Sequence, residues 1–329
     1  MTQELQAELH QGVLVRFFGG FYVAADADGQ EYTLRCPKKF RHQRLSPLVG
    51  DAVRFTPGQG EEEGWLVEIL PRKTECIRPP VANVTLLLVS ICPSPEPDLL
   101  LVDRLLARAK KQGMKTALIV GKCDLDGGKL LAQMQEEYRG ADCPVLGVSA
   151  RNKEGLDSVR ALMRGADCCC LAGQSGVGKS TLLNALLDLQ LETGEISEKI
   201  QRGKNTTRYA QLLIHDGIRV LDTAGFSLLE TEKGMEPEKL QELYPEFQPY
   251  IGQCRFQPCL HDREPGCAVT QAVQAGEIDG NRVARYRELL ADVRLAWKNR
   301  YQCDNTFFDG VIRRNFIHGI HHYGFHNGA

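Results

Sequence analysis

Along the first part of the chain apolar and polar positions alternate at the period of a pleated strand. Five short runs, 12–17, 21–25, 30–35, 51–55 and 65–70, carry this pattern, with Gly-Gly, Asp-Gly and Pro-Gly pairs between them. Such pairs are the punctuation of strand connections, and five strands packed this closely predict a small closed barrel of the OB type. Near residue 81 the period changes. Apolar runs of strand length at 84–91, 115–120, 145–150, 166–172 and 218–222 now alternate with helical spacing at 99–112, 129–138, 156–163 and 181–187. That rhythm predicts a mostly parallel α/β sheet with helices on both faces. The stretch 71–80 between the two regions begins and ends in proline, which predicts an extended, stiff junction. A last helix is expected over 281–297, with Val283, Tyr286, Leu289, Leu290 and Val293 on one side and Arg282, Arg285, Arg287, Arg294 and Lys298 on the other, Arg300 following.

Motifs for phosphate and base sit on the alternating framework. Gly173-Gln174-Ser175-Gly176-Val177-Gly178-Lys179-Ser180-Thr181 joins an apolar strand to a helix. In that setting glycine lets consecutive N–H groups turn toward phosphates, Lys179 reaches the β and γ oxygens, the Ser180 hydroxyl ligates Mg²⁺, and the helix N-terminus faces the anion. The run 218–222 ends in Asp222-Thr223-Ala224-Gly225, which puts Asp222 where it holds Mg²⁺ through water and the Gly225 N–H where it meets a γ-phosphate. The run 115–120 delivers Gly121-Lys122-Cys123-Asp124. A carboxylate at Asp124 accepts two hydrogen bonds from the N1–H and exocyclic amine of guanine, an arrangement adenine does not offer. The run 145–150 ends in Ser149-Ala150, a backbone prop for the base. GTP and GDP are therefore the expected ligands. The first position of such a base loop usually carries Asn, tied to the phosphate loop; Gly121 lacks that amide, a loss of roughly 1 kcal/mol of binding. In chain order the base loop and Ser-Ala precede the phosphate loop and D-x-x-G, which marks a circularly permuted nucleotide domain.

A third constellation lies further on. Cys254, Cys259, His261 and Cys267 fall within fourteen residues. Three thiolates and an imidazole at that spacing close one tetrahedral, structural Zn²⁺ site with no position left for water; the alternative is a set of unrelated reduced residues or a disulfide pair. Cys168, Cys169 and Cys170 sit in a predicted buried strand and read as packing residues. Twelve cysteines used in this way point to a reducing cytoplasm. An apolar content of 43% is ordinary for a globular protein, and a net charge of −2 gives no global signal for nucleic acid. The apolar runs are far shorter than the ~20 residues of a spanning helix, so no membrane partner is expected.

The order of these motifs, together with the Cys254–Val269 stretch, resembles the YjeQ/RsgA/EngC family of ribosome-associated GTPases over most of the chain. The resemblance implies an N-terminal OB-fold RNA-binding domain (1–75), a permuted P-loop GTPase domain (76–230), a mostly helical zinc-binding domain (231–300) and a tail (301–329). It also implies a monomer that binds the small (30S) ribosomal subunit and its rRNA, and hydrolyses GTP to time its release late in subunit maturation. Within 201–208, a segment resembling the family's first switch, Thr207 is the expected Mg²⁺ ligand, with Thr206 beside it. Asn205 stands where the family usually has His, and Phe226 follows the D-x-x-G where Ras-like proteins place a water-orienting Gln. Asn205 can hydrogen-bond a water but cannot act as a base, so slow intrinsic hydrolysis, raised by an RNA partner, is expected. The alternative reading is a zinc-stabilised RNA-binding module with a nucleotide-sensing, hydrolytically weak pocket. The loop bearing Arg35, Lys38, Lys39, Arg41, His42 and Arg44, and the basic side of helix 281–297, are either RNA-facing or simply solvated. Residues 226–229 run straight toward the zinc region, so nucleotide state has a path by which to move it as a lever; the other reading is a connection that transmits nothing. Past Arg300, where His318, His321, His322 and His326 cluster, there is no apolar periodicity and a disordered tail is expected.

Overall fold

The computed structural model describes residues 8–42, 45–58, 60, 62–76, 80–188, 211–222 and 235–300, with only the backbone of Arg41, His42 and Asp222. Five strands, β1 (His10–Phe18), β2 (Phe21–Ala25), β3 (Glu31–Arg35), β4 (Ala52–Thr56) and β5 (Gly64–Ile69), close into a barrel in the order β1-β2-β3-β5-β4. A single helical turn, α1 (Lys39–His42), lies between β3 and β4. Alternation sends Leu14, Ala24, Leu34, Val53, Phe55 and Leu66 inward, where Phe40 from α1 joins them.

The junction departs from the expected stiff spacer. Residues Glu75–Cys76 (β6) and Val81–Ala82 (β7) pair as an antiparallel ribbon. Arg72 clamps it to the barrel, with Nε and Nη2 on the Asp51 carboxylate at 2.7 and 2.8 Å and Nη1 on Glu75 at 2.7 Å. Gly50, at φ +93, lets the chain pass so close to this ribbon that a Cβ there would lie 2.1 Å from the Ala82 carbonyl oxygen. Val15, Val23 and Ala25 of the barrel share one apolar cluster with Cys76, Val81 and the following sheet. Prolines at either end suggest extension, but the buried residues between them make the junction a packed wedge.

The second sheet has six strands in the order β10-β9-β8-β11-β13-β12: β8 (Leu86–Ile91), β9 (Lys115–Val120), β10 (Val145–Gly147), β11 (Cys169–Ala172), β12 (Gln211–His215) and β13 (Ile218–Asp222). All neighbours run parallel except the β12–β13 hairpin at one edge. Leu87 and Val89 face helices α2 (Leu99–Lys111) and α3 (Lys129–Glu137), while Leu86 and Leu88 face α4 (Leu156–Arg164) and α5 (Lys179–Leu187). Cys168 and Cys170 pack on the first side and Cys169 on the second, buried thiols in two cores. No disulfide joins the described cysteines.

The C-terminal module wraps two 3₁₀ turns (Pro237–Leu243 and Pro245–Tyr250), α6 (Ala268–Gln274) and α7 (Gly280–Lys298) around Tyr244, Phe247, Val269, Tyr286, Leu289 and Leu290. Ala107 of α2 belongs to this core as well, while Val102, Leu105, Leu106 and Ala109 of the same helix belong to the sheet's. Among the described residues no helix is long and apolar enough to cross a membrane. The tail 301–329 lies outside the described residues.

Candidate nucleotide site and metal centre

In a parallel sheet every strand ends at the same edge, and ligands of such sheets lie outside those carboxyl ends. Here β11 runs into the glycine loop, β9 into Gly121-Lys122-Cys123-Asp124, and β10 into Val148-Ser149-Ala150. Chain order is therefore irrelevant to the geometry: strand order alone brings the base loop and phosphate loop together, with β8 between them.

The phosphate loop is built on glycine. Gly173 has φ +134, and a Cβ there would lie 2.2 Å from the Ser90 carbonyl oxygen, so no other residue fits against β8. Gly176 and Gly178 also have positive φ, and Gly178 precedes the first turn of α5. Lys179 Nζ donates to the Gly173 and Gln174 carbonyls at 2.9 and 2.8 Å, and burial lowers its pKa. Ser175, Ser180 and Thr181 are exposed and Val177 is buried beneath the loop. The Gln174 carboxamide oxygen accepts from the Asp98 N–H at 3.2 Å, and Asp98 caps α2 through Leu101 N at 2.9 Å. One wall of the loop is thus the start of α2.

Asp124 is exposed and accepts from the buried Ser149 hydroxyl at 2.7 Å, a hydrogen bond that holds its pKa below the ordinary carboxylate value. Cys123 N donates to Val148 O at 3.2 Å, joining the base loop to the Ser149-Ala150 segment. Gly121 is anchored through its own N–H to Ile91 O at 2.8 Å. Lys122 carries a tie between the loops: Nζ donates to Ser94 O at 2.8 Å and Gly176 O at 3.4 Å. Asp222 closes β13 at the same edge. Its side chain, and Asn205, Thr206, Thr207, Gly225 and Phe226, lie outside the described residues.

Some 3₁₀ turns away, the four ligand atoms of Cys254, Cys259, His261 and Cys267 lie within 4.8 Å of one another, all in buried residues. His261 Nδ1 is 3.6, 3.6 and 3.4 Å from the three sulfurs. Burial pushes the Cys259 thiol up and the His261 imidazole down from their ordinary values. Three soft sulfurs and one nitrogen, converging among buried residues, fit Zn²⁺. Main-chain N–H groups of His261 and Ala268 point at Cys259 and Cys254 sulfurs at 3.4 and 3.3 Å, as they do where thiolates are stabilised.

Comparison with known proteins bears on the nucleotide domain and the barrel. Residues 69–232 match the model of the RsgA GTPase family and residues 11–66 that of the RsgA N-terminal domain. A protein of Geobacillus thermodenitrificans called small ribosomal subunit biogenesis GTPase RsgA is 42% identical over 289 residues, 86% of this chain and 97% of that protein. The chain belongs to the RsgA family of GTPases. Crystal structures of two relatives superpose on it: YjeQ from Thermotoga maritima (32% identity, TM-score 0.75, 87% of this chain and 99% of that one) and YloQ, described as a circularly permuted GTPase (27%, 0.72, 89% and 98%). RsgA membership implies a guanine nucleotide with Mg²⁺; the glycine loop with Lys179 and the Ser180 hydroxyl fit that group.

One expectation fails. The basic side of α7 is not a free RNA-facing stripe. Arg282 is buried, donating through Nη1 to Asp103 of α2 and through Nε and Nη2 to Glu246 at 2.9 and 2.7 Å, and it lies between the Tyr138 and Tyr244 rings at 4.6 and 4.8 Å. Arg285 reaches Asp103 at 2.6 Å and Glu137. Tyr138 OH also donates to Asp103, at 2.7 Å. Arg287 binds the His261 carbonyl at 3.2 Å, and Arg294 binds Asp262 at 2.8 Å. These side chains fasten the zinc module to the GTPase helices and to its own loop. In the barrel, Arg35 pairs with Glu63 at 2.8 Å and Lys39 donates to Val67 O at 2.8 Å, while Lys38 is exposed. Arg44 lies outside the described residues. Sequence reasoning missed Asp103, Glu137, Glu246 and Gln241; only Asp103, an acid amid Val102, Leu105 and Leu106 on an apolar helix face, carries a local signal.

Proposed function

We propose that this chain is a GTP hydrolase acting in biogenesis of the small ribosomal subunit, as the names of its relatives say of them. The observation that carries the reading is the shared sheet edge, where Asp124 with Ser149 and the Lys179 loop converge despite their permuted order. In this reading Gly121, Lys122, Cys123, Asp124, Ser149 and Ala150 hold guanine. Residues Gly173 to Thr181 hold the phosphates, with Lys179 on the β and γ oxygens. Ser180, Thr207 and Asp222 would hold Mg²⁺, which would neutralise phosphate charge. Gly225 meets the γ-phosphate and Asn205 orients water. Cys254, Cys259, His261 and Cys267 hold one structural zinc. The division at residues 75, 230 and 300 gives a barrel that binds rRNA, the GTPase and the zinc domain, working as a cytoplasmic monomer on the 30S subunit.

Because Asn205 cannot take a proton, turnover depends on the subunit ordering the water-bearing segment. Steady-state GTP hydrolysis, measured with and without purified small subunits and with ATP as control, tests this. Stimulation by subunits confined to GTP is the expected result. GTP that binds but is not hydrolysed in either condition overturns it.

A further inference from the structure

Gln241 belongs to none of the motifs above, yet its side chain meets the metal centre. It lies on the 3₁₀ turn Pro237–Leu243, and its Oε1 is 2.8 Å from His261 Nε2. The carboxamide cannot be turned round: its Nε2 donates to the Glu238 carbonyl at 2.9 Å, which leaves Oε1 facing the imidazole. A carboxamide oxygen only accepts, so His261 Nε2 carries the proton and Nδ1 keeps its lone pair. Nδ1 is the atom that faces the three sulfurs. The backbone of His261 is held as well, at φ 59 with its carbonyl bound to Arg287, so ring rotation is the freedom that remains. Gln241 removes it, and does so without adding charge beside three thiolates.

We propose that Gln241 is the positioning residue of the zinc centre, fixing His261 for coordination through Nδ1 and fastening the turn 237–243 to the metal. The inference rests on reading Cys254, Cys259, His261 and Cys267 as a zinc site. Outer partners of metal-bound histidine are worth about 10–100-fold in metal affinity.

The test uses the full chain and three measurements. Metal analysis of the wild type comes first: about one zinc per chain is expected, and a chain purified without zinc overturns the zinc reading and the inference together. Zinc affinity is then measured by competition with a chelator of known affinity for the wild type, Gln241→Met and Gln241→Glu. Methionine keeps length and loses the acceptor; glutamate keeps an acceptor. Gln241→Met should bind zinc about 10–100-fold more weakly, with Gln241→Glu within a few-fold of wild type. Wild-type affinity in Gln241→Met, or equal weakening in both variants, overturns the role while leaving the zinc site standing. Finally, the ligand-field bands of the Co²⁺-substituted proteins should shift in Gln241→Met and persist in Gln241→Glu; bands unchanged in Gln241→Met refute the positioning. GDP binding serves as the control for folding of the sheet domain.

Discussion

Replacing Arg282 by Met removes the centre of the joint between α7 and the GTPase helices. The Arg282 side chain is 4% exposed, and its acidic partners Asp103 and Glu246 are 0% and 6% exposed. With Glu137 and Arg285 the buried cluster holds three carboxylates against two guanidinium groups, a net charge of −1. Methionine fills the space between Tyr138 and Tyr244 but leaves three carboxylates facing one cation, a net charge of −2. Breaking a buried pair on one side costs about 3–5 kcal/mol, because the remaining charge is neither solvated nor matched. The loss falls on docking of the zinc module rather than on the sheet, so it should appear as local opening. Hydrogen exchange of α7 peptides should accelerate roughly 100- to 4,000-fold, while peptides from α4 remain unchanged. Adding Glu246→Gln returns the net charge to −1 and should recover about 1 kcal/mol or more. Arg294→Met, which loses a partly exposed pair with Asp262, should change exchange by less than about 0.5 kcal/mol. Unchanged α7 exchange in Arg282→Met would refute the argument, since it would make the joint no stronger than a solvated surface pair.

Three further outcomes follow from the sites. A Cβ at Gly121 would find only Ile91 O at 3.5 Å and Val177 O at 4.0 Å, so Gly121→Asn fits without strain and points its amide at the phosphate loop; fluorescent GDP titration should show about fivefold tighter binding, from roughly 1 kcal/mol, and no gain would mean the Lys122 tie already suffices. The Ser149 hydroxyl lowers the Asp124 pKa, so the charged carboxylate proposed to hold guanine is present above the ordinary value and lost only as pH falls through the depressed one. In Ser149→Ala the acid limb of GDP binding should therefore move to higher pH; a superimposable limb would remove Asp124 from base binding. Stripping zinc with a chelator should abolish cooperative melting of α7 while GDP binding persists, and a melting curve identical with and without metal would contradict a structural centre.

What was legible in the sequence was local. The alternation from 12 to 70 sets a barrel because each inward residue is decided by its own strand, and the Cys254–Cys267 cluster is legible because four ligands lie within one loop. Arg282 and Arg285 were misread for the opposite reason. On a helix the alternation of apolar and charged faces is the signature of a surface, and nothing near residue 282 announces that its partner lies 179 positions earlier. Gln241 was invisible for the same cause, since a glutamine near a metal histidine carries no spacing rule. The ribbon Glu75–Cys76 with Val81–Ala82 was hidden by proline, which speaks of extension and is silent about what the residues between bury.

The ionic joint also has a consequence for the order of synthesis. Asp103, Glu137 and Tyr138 leave the ribosome long before Arg282, and at about 5–20 residues per second the wait is roughly 10–40 s. During that time the GTPase helices present their docking face to water without a mate. A greasy face of that size would invite the nascent chain to aggregate; a face carrying Asp103 and Glu137 stays hydrated until the arginines of α7 arrive. The charged joint is thus matched to a chain that must make half of its own interface first and keep it soluble while the other half is built.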